Sequence, residues 1–178
     1  AIPKTGLFQL TGMKKMLNKY LRAKKFEDLK IPLVITATNL TEGKTIYFRQ
    51  GILIDAILAS SAVPILFEAV KINNELYIDG GITNNLPVTP IINDCRKLIG
   101  VYVNHSGRLN SLKGFTQVAE RAFHLAISGD IEKKKQLFDI FIEPKDMSVY
   151  GFFNLKKGQE LFWKGYDAAI KALMQKKY

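Results

Sequence analysis

The stretch "ASSAVPILFEAVKINNELYIDGGITNNLPV", Ala59 to Val88, carries three pieces in a fixed order. "ASSAVPILF" reads as a helix end running into a proline-stiffened turn. "LYIDGG" reads as a strand that delivers a carboxylate, Asp79, to a loop. "NNLP" is a polar exit that closes on a second rigid turn. Asp-Gly-Gly alone is ordinary turn chemistry. The order makes it specific. A carboxylate used as a general base must be held on a rigid element and kept partly away from water. Gly80 and Gly81 allow unusual backbone angles and close approach by other groups. Asn84 and Asn85 can hold the loop through side-chain to backbone hydrogen bonds.

Working outward, "EAVKI" and "ELYID" flank Asn73-Asn74, and asparagine tolerates the left-handed conformation of a tight hairpin. Upstream, "IPLVITAT" (Ile31 to Thr38) is a β-branched run expected to be a mostly buried strand. "NLTEGK" turns it into "TIYFRQ", a second hairpin. "GILIDAILA" (Gly51 to Ala59) reads as a short buried helix that stops before Pro64. Nearer the start, Met13, Met16, Leu17, Tyr20 and Leu21 fall at helical spacing behind Thr11 as a cap.

Downstream, "KLIGVYVN" is an apolar strand, and Phe115, Val118, Ala119, Ala122 and Ala126 mark a helix face. "DIEKKKQLFD" continues as a separate or extended helix, "IFIEP" is a short strand, and Phe162, Tyr166, Ile170 and Leu173 line a final helix. Strands alternating with helices imply α/β with a mostly parallel central sheet. No repeat or linker interrupts the chain, so residues 1–178 read as a single domain.

The bulk numbers narrow the function. An apolar fraction of 47% with 24% charged residues is globular. The net charge of +10 fits a solvated lysine surface first, and otherwise attraction to nucleic acid or an anionic membrane surface. The arginines are few and scattered (Arg22, Arg49, Arg96, Arg108, Arg121), which disfavours nucleic acid as a partner. Cys95 is the single cysteine, so no intrachain disulfide forms; it reads as a small, partly buried hydrophobe. His105 and His124 are too few and too far apart for a metal cluster. His105 reads as a loop residue and His124 as a packed histidine. No metal and no cofactor are expected. "AILASSAVPILF" is too short and interrupted to span a bilayer.

These motifs resemble the patatin-like phospholipase family, in the bacterial branch related to neuropathy-target-esterase-type lysophospholipases. The resemblance runs from "TGLFQLTGMKKML" through "FEDLKIPLVITATNLTEGKTIYF", "ILASSAVPILFEAV" and "LYIDGGITNNLPV" to "KLIGVYVN". It implies a three-layer α/β/α fold and hydrolysis of lipid acyl esters by a Ser-Asp dyad. Asp79 matches the family's aspartate, supported by Gly80, Gly81 and Asn85. Ser60 and Ser61 match its Ala-Ser-x-Ala-x-Pro segment, which is structural.

The family's nucleophile sits in a Gly-x-Ser-x-Gly elbow with a Gly-rich oxyanion loop. Neither occurs in the 178 residues: "NHSGR" and "AISGD" both fail at the first glycine. The resemblance therefore implies the downstream portion of a patatin-like domain. Its N-terminal strands and elbow serine are expected on a segment upstream of Ala1. Exposed apolar surface covered by that segment, or by a second copy in a homo-oligomer, is the corollary.

The expected substrate is a lipid or membrane surface, and the expected location is the cytoplasm, at the membrane periphery. The alternative is an inactive membrane-surface or protein-interaction module. Its interfacial patch would be "VYGFFNLKKG", with Tyr150, Phe152 and Phe153 beside Lys156 and Lys157.

Overall fold

The computed structural model describes residues 6–103, 114–147, 150 and 155–175. His105, Arg108, Phe152 and Phe153 lie outside the described residues. The chain forms two compact units, Ala1–Pro87 and Val88–Tyr178.

In the first unit the elements run β1 (Gly6–Phe8), α1 (Thr11–Tyr20), β2 (Ile35–Asn39), β3 (Lys44–Phe48), α2 (Leu53–Ser60), β4 (Ile65–Phe67), β5 (Val70–Ile72), β6 (Glu75–Asp79) and α3 (Gly81–Asn84). Four strands form one sheet in the order β3-β2-β6-β5. Both expected hairpins are present. Asn73 and Asn74 take φ of 49° and 68° between β5 and β6. Between β2 and β3, Asn39 Oδ1 accepts from the backbone N–H of Thr41 and of Glu42, and Gly43 takes φ +68°.

α2 packs on β2 and β6 because its apolar residues wrap most of its circumference: Leu53, Ile54, Ala56, Leu58 and Ala59 are buried. Ala37 and Ala59 are fully buried and meet Tyr77 in the core. β1 pairs with β4 in parallel.

The second unit holds β7 (Ile99–Val101), α4 (Gly114–Ile127), α5 (Ile131–Lys135), β8 (Ile140–Ile142) and α6 (Gly158–Gln175). β7 pairs with β8 in parallel, and α6 packs on β8.

This is a mixed α/β structure with parallel pairs and helices, compatible with a three-layer α/β/α fold. The expectation of a mostly parallel central sheet needs correction within these residues. The four-stranded sheet is antiparallel at every pairing. Tight turns join β2 to β3 and β5 to β6, leaving no room for the crossover a parallel neighbour requires, and β2 also meets β6 antiparallel.

Smaller differences have equally local reasons. β2 begins at Ile35 and not Ile31: Pro32 has no N–H for a ladder, and Ile31 is exposed. Thr11 is the first helical residue of α1, not its cap, which is Leu10 without a side-chain bond. α4 buries Ala119, Phe123 and Ile127, while Phe115 and Val118 are exposed. The larger side chains of Phe123 and Ile127 remove more apolar area from water than alanines at 122 and 126. Cys95 is exposed, in the turn-rich segment before β7.

Candidate active site

Asp79 is the last residue of β6, opposite Ala37 of β2. Its position is fixed from three sides. Its backbone N–H donates to the Ala62 carbonyl at 2.9 Å, which ties the strand end to the chain leaving α2. Its carbonyl accepts from Thr38 Oγ1 at 2.9 Å. Its carboxylate Oδ1 accepts from the Gly81 N–H at 2.7 Å.

A hydroxyl carries one proton. Thr38 donates its hydroxyl hydrogen bond to the Asp79 backbone carbonyl, so in the 2.9 Å contact between Thr38 Oγ1 and Thr83 Oγ1 the donor is Thr83. Thr83 belongs to α3, so this pair clamps α3 to the strand that carries Asp79.

Ala59 and Ala62 are both fully buried. A larger residue at either position would push α2 away from the sheet and shift the Ala62 carbonyl. Ser61 Oγ donates to the Ile57 carbonyl at 2.8 Å, within its own helix. That bond gives the Ser61 hydroxyl a local partner at the end of α2.

The two glycines have different reasons. Gly80 takes an ordinary right-handed conformation, φ −66°, so backbone freedom is not what it supplies. A Cβ there would lie 2.5 Å from the Thr36 carbonyl oxygen, and only glycine permits that approach. Gly81 opens α3 and offers its N–H to the carboxylate.

Asn84 reaches across to the sheet: its Nδ2 donates to Tyr47 Oη on β3 at 2.6 Å. Asn85 ends α3 in an extended conformation, and Leu86 follows with φ +63°.

Burial raises the Asp79 carboxyl above its ordinary pKa, against the opposing pull of the Gly81 N–H. The group thus carries a costly charge on one anchored oxygen. Such a carboxylate holds a proton more readily than an exposed one, as a general base must. Thr36, which packs against Gly80, has a buried Oγ1 with no hydrogen-bond partner among the described residues.

Sequence reading missed Thr38, Thr83 and Tyr47. The only trace of the first is the small polar alternation "TAT" in β2. His124 is half-buried on α4 with its ring against Phe123, and burial lowers its pKa. Among the described residues no group of three or more His, Cys, Asp or Glu could hold a metal ion. No helix of the described residues is long and apolar enough to cross a membrane.

Comparison with known proteins gives a concordant picture. A family model described as patatin-like phospholipase matches residues 1–92. An uncharacterized NTE family protein of Mycobacterium tuberculosis is 42% identical over 65 residues, covering 36% of this chain and 18% of the relative. A probable lipid hydrolase of Invertebrate iridescent virus 6 is 31% identical over 98 residues, 47% of this chain and 34% of the relative. An uncharacterized protein of Acanthamoeba polyphaga mimivirus is 28% identical over 115 residues, 58% of this chain and 39% of the relative. The chain thus spans well under half the length of these relatives.

Proposed function

The chain belongs to the patatin-like phospholipase family, and from that premise we propose that it supplies the general base, Asp79, of a lipid acyl-ester hydrolase. One observation carries this reading: a strand-end carboxylate with raised proton affinity, anchored through one oxygen by Gly81 and backed by glycine where a side chain would collide. A relative described as a probable lipid hydrolase supports the substrate class.

The nucleophile is a serine on a segment upstream of Ala1, in a Gly-x-Ser-x-Gly elbow. Asp79 takes the hydroxyl proton as that serine attacks the acyl carbonyl. Collapse of the tetrahedral intermediate breaks the ester bond, and Asp79 returns the proton to the departing alcohol. Water then attacks the acyl-serine, again giving its proton to Asp79, which passes it to the serine as the fatty acid leaves. Gly81 keeps the carboxylate aimed through both halves. Gly80 lets the corner pack against β2, and Asn85 fixes the exit of α3.

The upstream segment, or a second copy of the chain, would also cover apolar residues left open on the two parallel strand pairs. Leu7, Phe8 and Ile65 are exposed on β1 and β4, and Ile99 and Val101 on β7. Parallel pairs are ordinarily buried on both faces.

The test is chemical labelling of the full-length protein with a serine-reactive phosphonate, followed by peptide mapping. The expected adduct lies on a serine upstream of Ala1, with none on residues 1–178 and with ester turnover lost in proportion to labelling. An adduct on Ser60 or Ser61 would overturn the assignment. Absence of both labelling and turnover would favour the inactive surface module.

A further inference from the structure

From Gln9 to Phe26 the chain reads "QLTGMKKMLNKYLRAKKF", with Lys14, Lys15, Lys19, Arg22, Lys24 and Lys25 and no acidic residue. α1 occupies the middle of this run. Met13, Met16, Leu17 and Tyr20 share one helical face, and the three lysines of the helix lie round the other side. In a globular unit such a face packs inward. Here it does so only in part.

α1 rests on α2, and no residue of α1 is buried. Met16 is 52% exposed and Tyr20 is 70% exposed. Lys14 reaches Asp55 at 3.9 Å, with more than half its side chain exposed. An exposed pair of this kind is worth about 0–1 kcal/mol and leaves the lysine available to other anions. Lys19 Nζ lies 5.1 Å from the Tyr20 ring centroid, so a cation and an amphipathic ring occupy one spot on the surface.

We propose that α1 is a docking element for an anionic phospholipid surface, inserting Met16 and Tyr20 into the headgroup boundary while its lysines meet lipid phosphates. The occupant follows from charge complementarity. A run of six cations on and beside an amphipathic helix is what an anionic bilayer attracts, and thioether and phenol side chains suit its wet, apolar boundary. α6 offers a competing patch, Phe162, Trp163 and Tyr166 in mutual ring contact and exposed. Glu160 and Asp167 accompany that patch on its own helix, whereas α1 carries no acid of its own and meets Asp55 only from α2.

The choice of lipid rests on the acyl-ester reading, but the test does not, because binding is measured without turnover in Asp79→Asn protein. The full-length protein is co-sedimented with vesicles of mixed phosphatidylglycerol and phosphatidylcholine, and with phosphatidylcholine alone, across a salt series. Binding is expected to favour the anionic vesicles and to weaken with salt. Lys14→Gln, Lys15→Gln and Lys19→Gln together should lower partitioning by about 10²-fold. The charge-matched set Lys71→Gln, Lys97→Gln and Lys145→Gln, all exposed in the wild-type structure, should change it by less than about threefold. Met16→Ser with Tyr20→Ser should lower it by about tenfold.

Equal losses in the two lysine sets would mean diffuse charge and overturn the proposal. So would a loss in Trp163→Ser matching that of the α1 variants. Undiminished binding in Met16→Ser with Tyr20→Ser, together with equal affinity for RNA, would make the helix a general polyanion site. A dimer that dissociates in the same variant would make the face a contact between copies. Vesicle binding by wild-type full-length protein that turns over no acyl ester would count against the catalytic reading alone.

Discussion

α2 and α1 lie against one another in the first unit, yet they meet water on opposite terms. α2 buries Leu53, Ile54, Ala56, Leu58 and Ala59, and the chain leaving it ends on Ala62, whose carbonyl holds the backbone of Asp79. α1 buries nothing and carries three lysines round its outer side. The difference teaches what each sequence is shaped by. Residues of α2 answer to a neighbour already in place, so size matters to within a methyl group. Residues of α1 answer to solvent and to whatever approaches from it, so charge and amphipathicity matter while size does not.

The largest expected effect falls on the side that α2 supports. Asp79→Asn keeps the shape of the side chain but cannot take a proton. Turnover of acyl ester by the full-length protein should fall by about 10² to 10⁴, the usual loss on removing a general base. Stability should respond in the other sense. The folded carboxyl binds its proton more tightly than the unfolded one, so its contribution is present at low pH and is lost as pH rises through the raised pKa. Asp79→Asn should remove that slope in denaturant titrations at a series of pH values. A large loss of stability at neutral pH would make Asp79 structural and erase the contrast with α1.

Next comes Gly80→Ala. A methyl group 2.5 Å from the Thr36 carbonyl oxygen must displace β2 or α3, at a cost of about 1–3 kcal/mol read from the urea midpoint. Turnover should fall as well, because the displacement moves Gly81 off the carboxylate. An unchanged midpoint would mean that the corner yields more freely than its packing implies. The smallest effect belongs to α1. Tyr20→Ser removes a side chain 70% exposed and should alter stability by no more than about 0.5 kcal/mol. A loss equal to that of Gly80→Ala would mean that α1, too, answers to an inward neighbour.

Much of this corner was legible from residues alone. Asn73-Asn74 announced one hairpin and "NLTEGK" the other, because turn chemistry is local. Asp79 with Gly80 and Gly81 stood out because the strand, the carboxylate and the glycines are consecutive. What could not be read is carried by contacts across the sheet. Thr38 meets Asp79 across 41 positions and Tyr47 meets Asn84 across 37, and nothing near either residue marks the partner. The same limit led to the expectation of a parallel central sheet: alternating strands and helices favour one, but here two hairpins meet through an antiparallel β2–β6 pairing that no local signal marks. α4 shows the limit in another form. Its apolar residues occupy more than one stripe, and only packing decides that Phe123 and not Phe115 is buried.

The pH dependence of kcat/KM for acyl-ester hydrolysis by the full-length protein tests most directly that Asp79 is the base and that no imidazole intervenes. The rate should rise with pH through a single ionisation above the ordinary carboxylate range, since burial raises the Asp79 pKa and only the ionised form accepts the serine proton. His105→Ala and His124→Ala should leave that inflection in place and the rate within a few-fold of wild type. Loss of the inflection in either histidine variant, with a rate loss matching that of Asp79→Asn, would contradict the account and put a Ser-His-Asp arrangement in its place.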